Sequence, residues 1–139
     1  PRFYFLSNDE LLEILSQTKN VRAVQPHLSK CFDGLYKVEF GENDIITAMV
    51  SAEGETVSFL KPVDPNFGDA QGNVEVWLNE VEKAMQQSLK TIMHKAYKAY
   101  TTVARKQWIL DWPGQVVLAV SQCYWTSQVE FAIKTKGNR

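Results

Sequence analysis

The sequence predicts a mainly α fold with a small antiparallel β-meander (α+β): a helical bundle around one long helix and a buried C-terminal helix. Three observations carry this. Apolar residues recur at helical spacing from Val74 to Val103. Between Tyr36 and Phe59 the apolar period drops to two, the signature of half-buried strands. After Asp111-Trp112-Pro113-Gly114, the stretch Val116–Trp125 is apolar on nearly every side, and a helix of that kind is expected to be buried.

Read in order, residues 1–139 form one segment. Short helices occupy 1–34, a meander 35–60, a loop 61–73, a long helix 73–111 and a buried helix 113–136. Ser7 and Glu10 make a capping box, after which Leu11, Ile14 and Leu15 repeat at helical spacing to near Thr18. Pro26 suits the start of a second helix. Leu28, Cys31, Phe32 and Leu35 supply its apolar side, and Gly34 marks its stop. Tyr36, Val38 and Phe40 then alternate with charged residues, Gly41-Glu42-Asn43-Asp44 turns, and Ile46, Ala48 and Val50 alternate again. Glu53-Gly54 turns into Val57 and Phe59, completing an antiparallel meander with links too short for parallel crossovers. Pro62, Pro65, Gly68 and Gly72 mark the loop.

Asn73 is a good N-cap for the long helix. Val74, Leu78, Val81, Met85, Leu89, Ile92, Ala96, Tyr100 and Val103 step by fours and threes in a repeat of about 3.67 residues per turn, close to a straight helix. Acidic residues gather at its start and basic ones at its end, as the macrodipole favours. Unbroken to Asp111 it would measure roughly 55 Å. The adjoining β-branched Thr101 and Thr102 are where it can kink. Pro113 ends the incoming helix and suits the first turn of the next.

Length allows one domain with a sizeable core. Net charge is −1, so no global field draws nucleic acid, although residues 1–70 hold 11 acidic and 6 basic side chains and the remainder 5 and 9. No apolar run reaches the roughly 18 residues of a membrane span. No signal peptide opens the chain, which does not begin with Met, and it reads as a piece of something longer. Cys31 and Cys123 read as reduced, buried, small apolar side chains.

Reactive patterns are missing. The glycines form neither a dinucleotide nor a P-loop fingerprint, and no metal-ligand spacing or nucleophile elbow occurs. Ser121, His94 and Asp111 make a triad only on paper. The expectation is therefore no catalytic residues, no cofactor and no metal within this segment.

Two surface features stand out. Lys83, Lys90, His94, Lys98 and Arg105 fall within about an 80° sector of the long helix, opposite its apolar seam. They form either a solvated face or a basic rail for an acidic partner. The tip Ala52-Glu53-Gly54-Glu55 belongs either to a cover over the core or to a docking edge for another domain. Trp77, Trp108, Trp112 and Trp125 are expected in cores and between helices rather than as base-stacking platforms, with Pro113 and Gly114 as structural punctuation. Loss of Trp125 to Ala should cost about 3–5 kcal/mol if that residue is buried.

Arg2-Phe3-Tyr4-Phe5-Leu6-Ser7 with Glu10-Leu11-Leu12-Glu13-Ile14-Leu15 resembles the RFYFLSxxELLEIL run of the dynein heavy chains. Val24-Gln25-Pro26-His27-Leu28-Ser29-Lys30-Cys31-Phe32 is similar to VQPHLxKCF. Ser51-Ala52-Glu53-Gly54-Glu55-Thr56-Val57 is similar to the family's S-x-EGE-x-V hairpin, and Val74-Glu75-Val76-Trp77-Leu78 to VExWL. Trp112-Pro113-Gly114-Gln115-Val116-Val117-Leu118, Ser121-Gln122 and Trp125-Thr126 complete the series, in order along essentially the whole chain.

The resemblance implies the C-terminal part of the linker, the mostly helical arm preceding and lying across the AAA+ ring and swinging in the power stroke. The Trp-Pro-Gly-Gln motif points to an axonemal chain, in the cytoplasm and cytoskeleton of a cilium or flagellum. ATP and Mg would belong to the parent motor ring. Partners would be ring modules of the same chain and, through the parent, other dynein subunits and microtubules, with no nucleic acid and no membrane. The competing reading is a non-catalytic helical interaction module binding an acidic partner through Lys83, Lys90, Lys98 and Arg105.

Overall fold

The computed structural model describes residues 1–16 and 19–137. The elements are a 3-10 turn at Phe3–Phe5, helix α1 (Asn8–Ser16), a 3-10 run at Val21–His27 and helix α2 (Leu28–Cys31). Strands β1 (Lys37–Phe40), β2 (Ile46–Val50) and β3 (Thr56–Val63) follow. Helices α3 (Val74–Ala99), α4 (Arg105–Asp111) and α5 (Gly114–Lys136) complete the chain. They divide into two compact units, Pro1–Ser88 and Leu89–Arg139.

In the first unit, α1 starts at the predicted box. The Ser7 N–H donates to Glu10 Oε2 at 2.9 Å and the Glu10 N–H returns to Ser7 Oγ at 3.3 Å. The expected helix ending at Gly34 is shorter: α2 stops at Cys31, and Phe32 is already extended at φ −132° and ψ 133°. The preceding residues take the tighter 3-10 form, with Val21 and Val24 buried and Pro26 inside the run.

The meander is antiparallel in the order β1-β2-β3. Val38, Ile46, Ala48, Val50, Val57 and Phe59 are buried, following the predicted alternation. The loop expected from residue 61 starts later, because β3 continues through Pro62 to Val63, which partners Ile46. Pro62 is tolerated because β3 is an edge strand and the β2–β3 register shifts between Ile46 and Ala48. The core of this unit joins Ile14, Leu28, Cys31, Phe32 and Leu35 to Val38, Phe59, Trp77, Leu78 and Val81.

Asn73 caps α3 as predicted, its Oδ1 accepting from the Val76 N–H at 3.4 Å. The single helix expected over 73–111 is two: α3 ends at Ala99 and α4 begins at Arg105. The Ala99 carbonyl accepts from the N–H groups of Thr102 and Val103, both at 3.1 Å, and from Thr102 Oγ1 at 3.2 Å. A threonine hydroxyl competing for a terminal carbonyl favours a turn over helix, which explains a break where two threonines adjoin.

In the second unit, Ala96, Trp108, Val116 and Val120 form the buried cluster, joined by Leu89, Ile92, Tyr100, Val103, Trp112 and Tyr124. Trp112 is extended at φ −123° and ψ 150°, as a residue before proline prefers, and Pro113 caps α5 rather than entering it. The Val117 N–H bonds to the Pro113 oxygen at 3.0 Å.

The expectation of a buried helix over 113–136 is corrected. Only Val116 and Val120 of α5 are buried, and Trp125 is 67% exposed. Apolar content marks which sides of a helix can be covered; in this unit only the side bearing Val116, Val120 and Tyr124 is. Cys31 is buried as expected, whereas Cys123 is exposed.

Candidate interaction surfaces

The hairpin tip is built from its ends. The Ser51 N–H donates to the Glu55 oxygen at 2.9 Å, the Gly54 N–H to the Ser51 oxygen at 3.1 Å, and the Glu55 N–H to Ser51 Oγ at 3.2 Å. Gly54 has φ +87°, a conformation that any side chain would strain. Glu53, Gly54 and Glu55 are all exposed.

Side chains close the two outer edges of the sheet at single points. The Gln25 amide imitates a strand peptide on β1, donating through Nε2 to the Val38 oxygen at 2.9 Å and accepting from the Val38 N–H at 3.3 Å. Buried Ser88 of α3 accepts from the Leu60 N–H of β3 at 3.0 Å through Oγ. The sequence reading passed over both. Ser88 did carry a signal: it lies seven residues beyond Val81, on the buried side of the helix.

The basic residues are not all brought together. Lys83 is an exposed residue of the first unit, while Lys90, His94 and Lys98 are exposed on the part of α3 in the second. Arg105 does not share their helical face, because the break after Ala99 puts it at the start of α4. There its guanidinium lies 5.6 Å from the Tyr100 ring centroid.

The tryptophans divide as well. Trp77 is buried in the first core, Trp108 is fully buried in the second, and Trp112 is half-buried beside it. Pro113 is half-buried and Gly114 exposed. Trp108 Nε1 donates to the Ala96 oxygen at 2.8 Å. Its ring meets Tyr100 edge-on at 5.0 Å. Tyr124 of α5 stacks on Tyr100 at 4.1 Å and on Tyr97 at 4.7 Å, and its hydroxyl donates to the Tyr97 oxygen at 3.0 Å. Burial first, then the neighbouring Tyr97 and Tyr100, hold the Tyr124 phenol above its ordinary pKa. These tyrosines were not singled out in the sequence, since they read as part of the helical period.

Of the paper triad, Asp111 accepts from Gln107 Nε2 at 2.6 Å and His94 is exposed. Among the described residues no group of acidic, histidine and cysteine side chains could hold a metal. No described helix is long and apolar enough to cross a membrane. Burial pushes the Cys31 thiol up in pKa, away from the reactive thiolate.

Comparison with known proteins gives the family. The model of dynein heavy chain, N-terminal region 2, matches residues 1–96. Human dynein axonemal heavy chain 3 is 50% identical over 133 residues, which is 96% of this chain and 3% of that protein. Human dynein axonemal heavy chain 1 is 53% identical over 134 residues, again 96% and 3%. Rat dynein axonemal heavy chain 12 is 50% identical over 133 residues, 96% of this chain and 4% of that one. The match names an N-terminal region of the heavy chain, which corrects the reading of the segment as the C-terminal part of the linker. The chain spans a few hundredths of the relatives it resembles, and on the strength of the family match over most of its length it belongs to the dynein heavy chains.

Proposed function

We propose that this chain is a non-catalytic linker segment of an axonemal dynein heavy chain, carrying ATP-driven changes of the parent's AAA+ ring into movement along microtubules. The observation that carries this reading is identity of 50–53% to three axonemal heavy chains across 96% of the chain. Its place of work would be the ciliary or flagellar axoneme. ATP and Mg would be bound by the parent ring, with ring modules of the same chain, other dynein subunits and microtubules as the partners of the whole.

The geometry suits transmission of force better than chemistry. The second unit fixes three helices to one another through a buried indole hydrogen bond and a tyrosine stack. Those contacts are short-range and directional, so they resist sliding as well as separation.

Two measurements test the reading. The purified chain should show no nucleotide turnover that tracks with the protein. In the intact motor, Trp108→Ala should lower microtubule gliding velocity while ATP turnover is largely kept, because the arm and not the ring is loosened. Turnover by the purified chain, or gliding as fast as the parent's despite a loosened second unit, would overturn it.

A further inference from the structure

We infer that helix α1 of one copy of this chain docks antiparallel on the exposed face of α3 between Lys90 and Lys98 of a second copy. Charge is divided along the sequence: residues 1–88 carry 14 acidic and 7 basic side chains, and residues 89–139 carry 2 and 8. Lys90, Lys95 and Lys98 are exposed, and no ion pair joins them to an acid among the described residues. A row of cations without counter-charges on one helix draws an acidic partner.

The α3 face is mixed rather than purely basic. Met93 and Tyr97 are exposed beside Lys90, His94 and Lys98, and Tyr97 is held in place by its stack on Tyr124. At 100° per residue the basic row lies about 80° round the helix from the apolar pair. The outer face of α1 has the matching composition. Leu12 and Leu15 are exposed, as are Asp9 and Glu13, and Glu13 remains so although its carboxylate lies 3.6 Å from His27 Nε2. These acids lie about 110° round from the leucines, in the same rotational sense.

Two helix faces that order their apolar and charged rows in the same sense match only when the helices run antiparallel. The leucines then meet Met93 and Tyr97 while the acids meet the bases. A parallel approach would set Asp9 and Glu13 over the apolar pair. The spacing agrees as well: Asp9 and Glu13 are four residues apart, as are Lys98 and His94. One register therefore puts Asp9 opposite Lys98 and Glu13 opposite His94, a turn from Lys90. Antiparallel helices also set opposite macrodipole ends side by side.

Both halves of this contact lie on the surface of the chain itself, which selects a second copy as the occupant. Pairing of like helices is disfavoured, because α3 on α3 would oppose lysines and α1 on α1 would oppose carboxylates.

Surface ion pairs are individually weak, so association is measured by sedimentation at about millimolar chain and low salt. Reductant is present because Cys123 is exposed. The parent should associate, and about tenfold more weakly at about 0.3 M salt. Asp9→Lys with Glu13→Lys, and Lys90→Glu with Lys98→Glu, should each stay monomeric, since each opposes like charges. Mixed, the two variants should associate again, because each contact once more joins opposite charges. In the isotope-labelled parent, dilution should move the amide signals of residues 12–15 and 90–98 and leave those of the hairpin tip unchanged. If circular dichroism shows the α1 variant unfolded, the α3 variant and this dilution series decide. A parent that stays monomeric, variants that associate as it does, a mixture that does not reassociate, or dilution shifts centred on Leu118 and Trp125 of α5 would overturn the proposal.

Discussion

The indole N–H of Trp108 reaches back 12 residues to the carbonyl oxygen of Ala96, 2.8 Å away and buried. That oxygen already accepts from the Tyr100 N–H at 3.0 Å, so one carbonyl near the end of α3 holds both its own helix and the side chain of α4. The break at 100–104 lets α4 turn its tryptophan into the second core. Trp108→Phe should therefore cost about 2 kcal/mol, roughly 1 from the lost hydrogen bond, since the carbonyl keeps its helical partner, and the rest from the smaller ring in a fully buried site. Trp108→Ala should cost about 3–5 kcal/mol, since it also empties the centre of a small core. Urea denaturation of the two variants, read through the remaining aromatics of the second unit, measures both losses; equal losses would mean that the phenylalanine ring fills none of the indole's place.

Trp125→Ala should behave oppositely, despite the same residue type. With 67% of Trp125 exposed, its removal is expected to change stability by within about 0.5 kcal/mol. The same denaturation experiment checks this. A loss comparable to that of Trp108 would mean that α5 is covered on its second side in solution.

Glu10 gives the first unit a dependence on pH. The Lys30 ammonium, bonded to Oε1, and the Ser7 N–H and hydroxyl on Oε2 favour the carboxylate and bring its pKa down from 4.5 to about 2, against the opposing effect of burial. A carboxylate whose pKa is lower folded than unfolded stabilises the fold fully above the unfolded value. That contribution fades as pH falls from about 4.5 towards 2. The stability difference between the parent and Glu10→Gln should thus be constant near neutrality and shrink across that interval. Denaturant midpoints of both proteins between pH 7 and 2 would show it; a difference that grows on acidification would contradict the assignment.

Which parts of this architecture were legible in the sequence follows from which forces are local. The Ser7–Glu10 box, the Asn73 cap and the alternation from Val38 to Phe59 each depend on neighbours a few residues apart, and all are found where the pattern puts them. The break after Ala99 was readable as a weakness at Thr101-Thr102, but its extent depends on Trp108 finding a distant carbonyl. The exposure of Trp125 was not readable, since hydrophobicity states a preference and burial needs a partner. Arg105 was misplaced for the same reason: a helical wheel drawn through a break projects a face that does not exist. Gln25 and Ser88 were missed because each acts on a strand far along the chain, at 13 and 28 residues' separation.

Ser88 supplies the last test. Its hydroxyl is 1% exposed and faces the Leu60 N–H, so Ser88→Ala leaves that donor without its partner at the rim of a packed helix. An unmet buried donor costs about 1–3 kcal/mol; because Leu60 itself is exposed, water can reach its backbone and the lower end is expected. Gln25→Ala acts on the opposite edge and removes two bonds from Val38, which is buried, so its cost should be the larger of the two. The sites lie on opposite edge strands, and in the double variant the losses should add to within about 0.5 kcal/mol. Denaturant unfolding of both single variants and the double one measures this. A strongly non-additive result would mean that the edges are coupled through the sheet and that closing one strains the other.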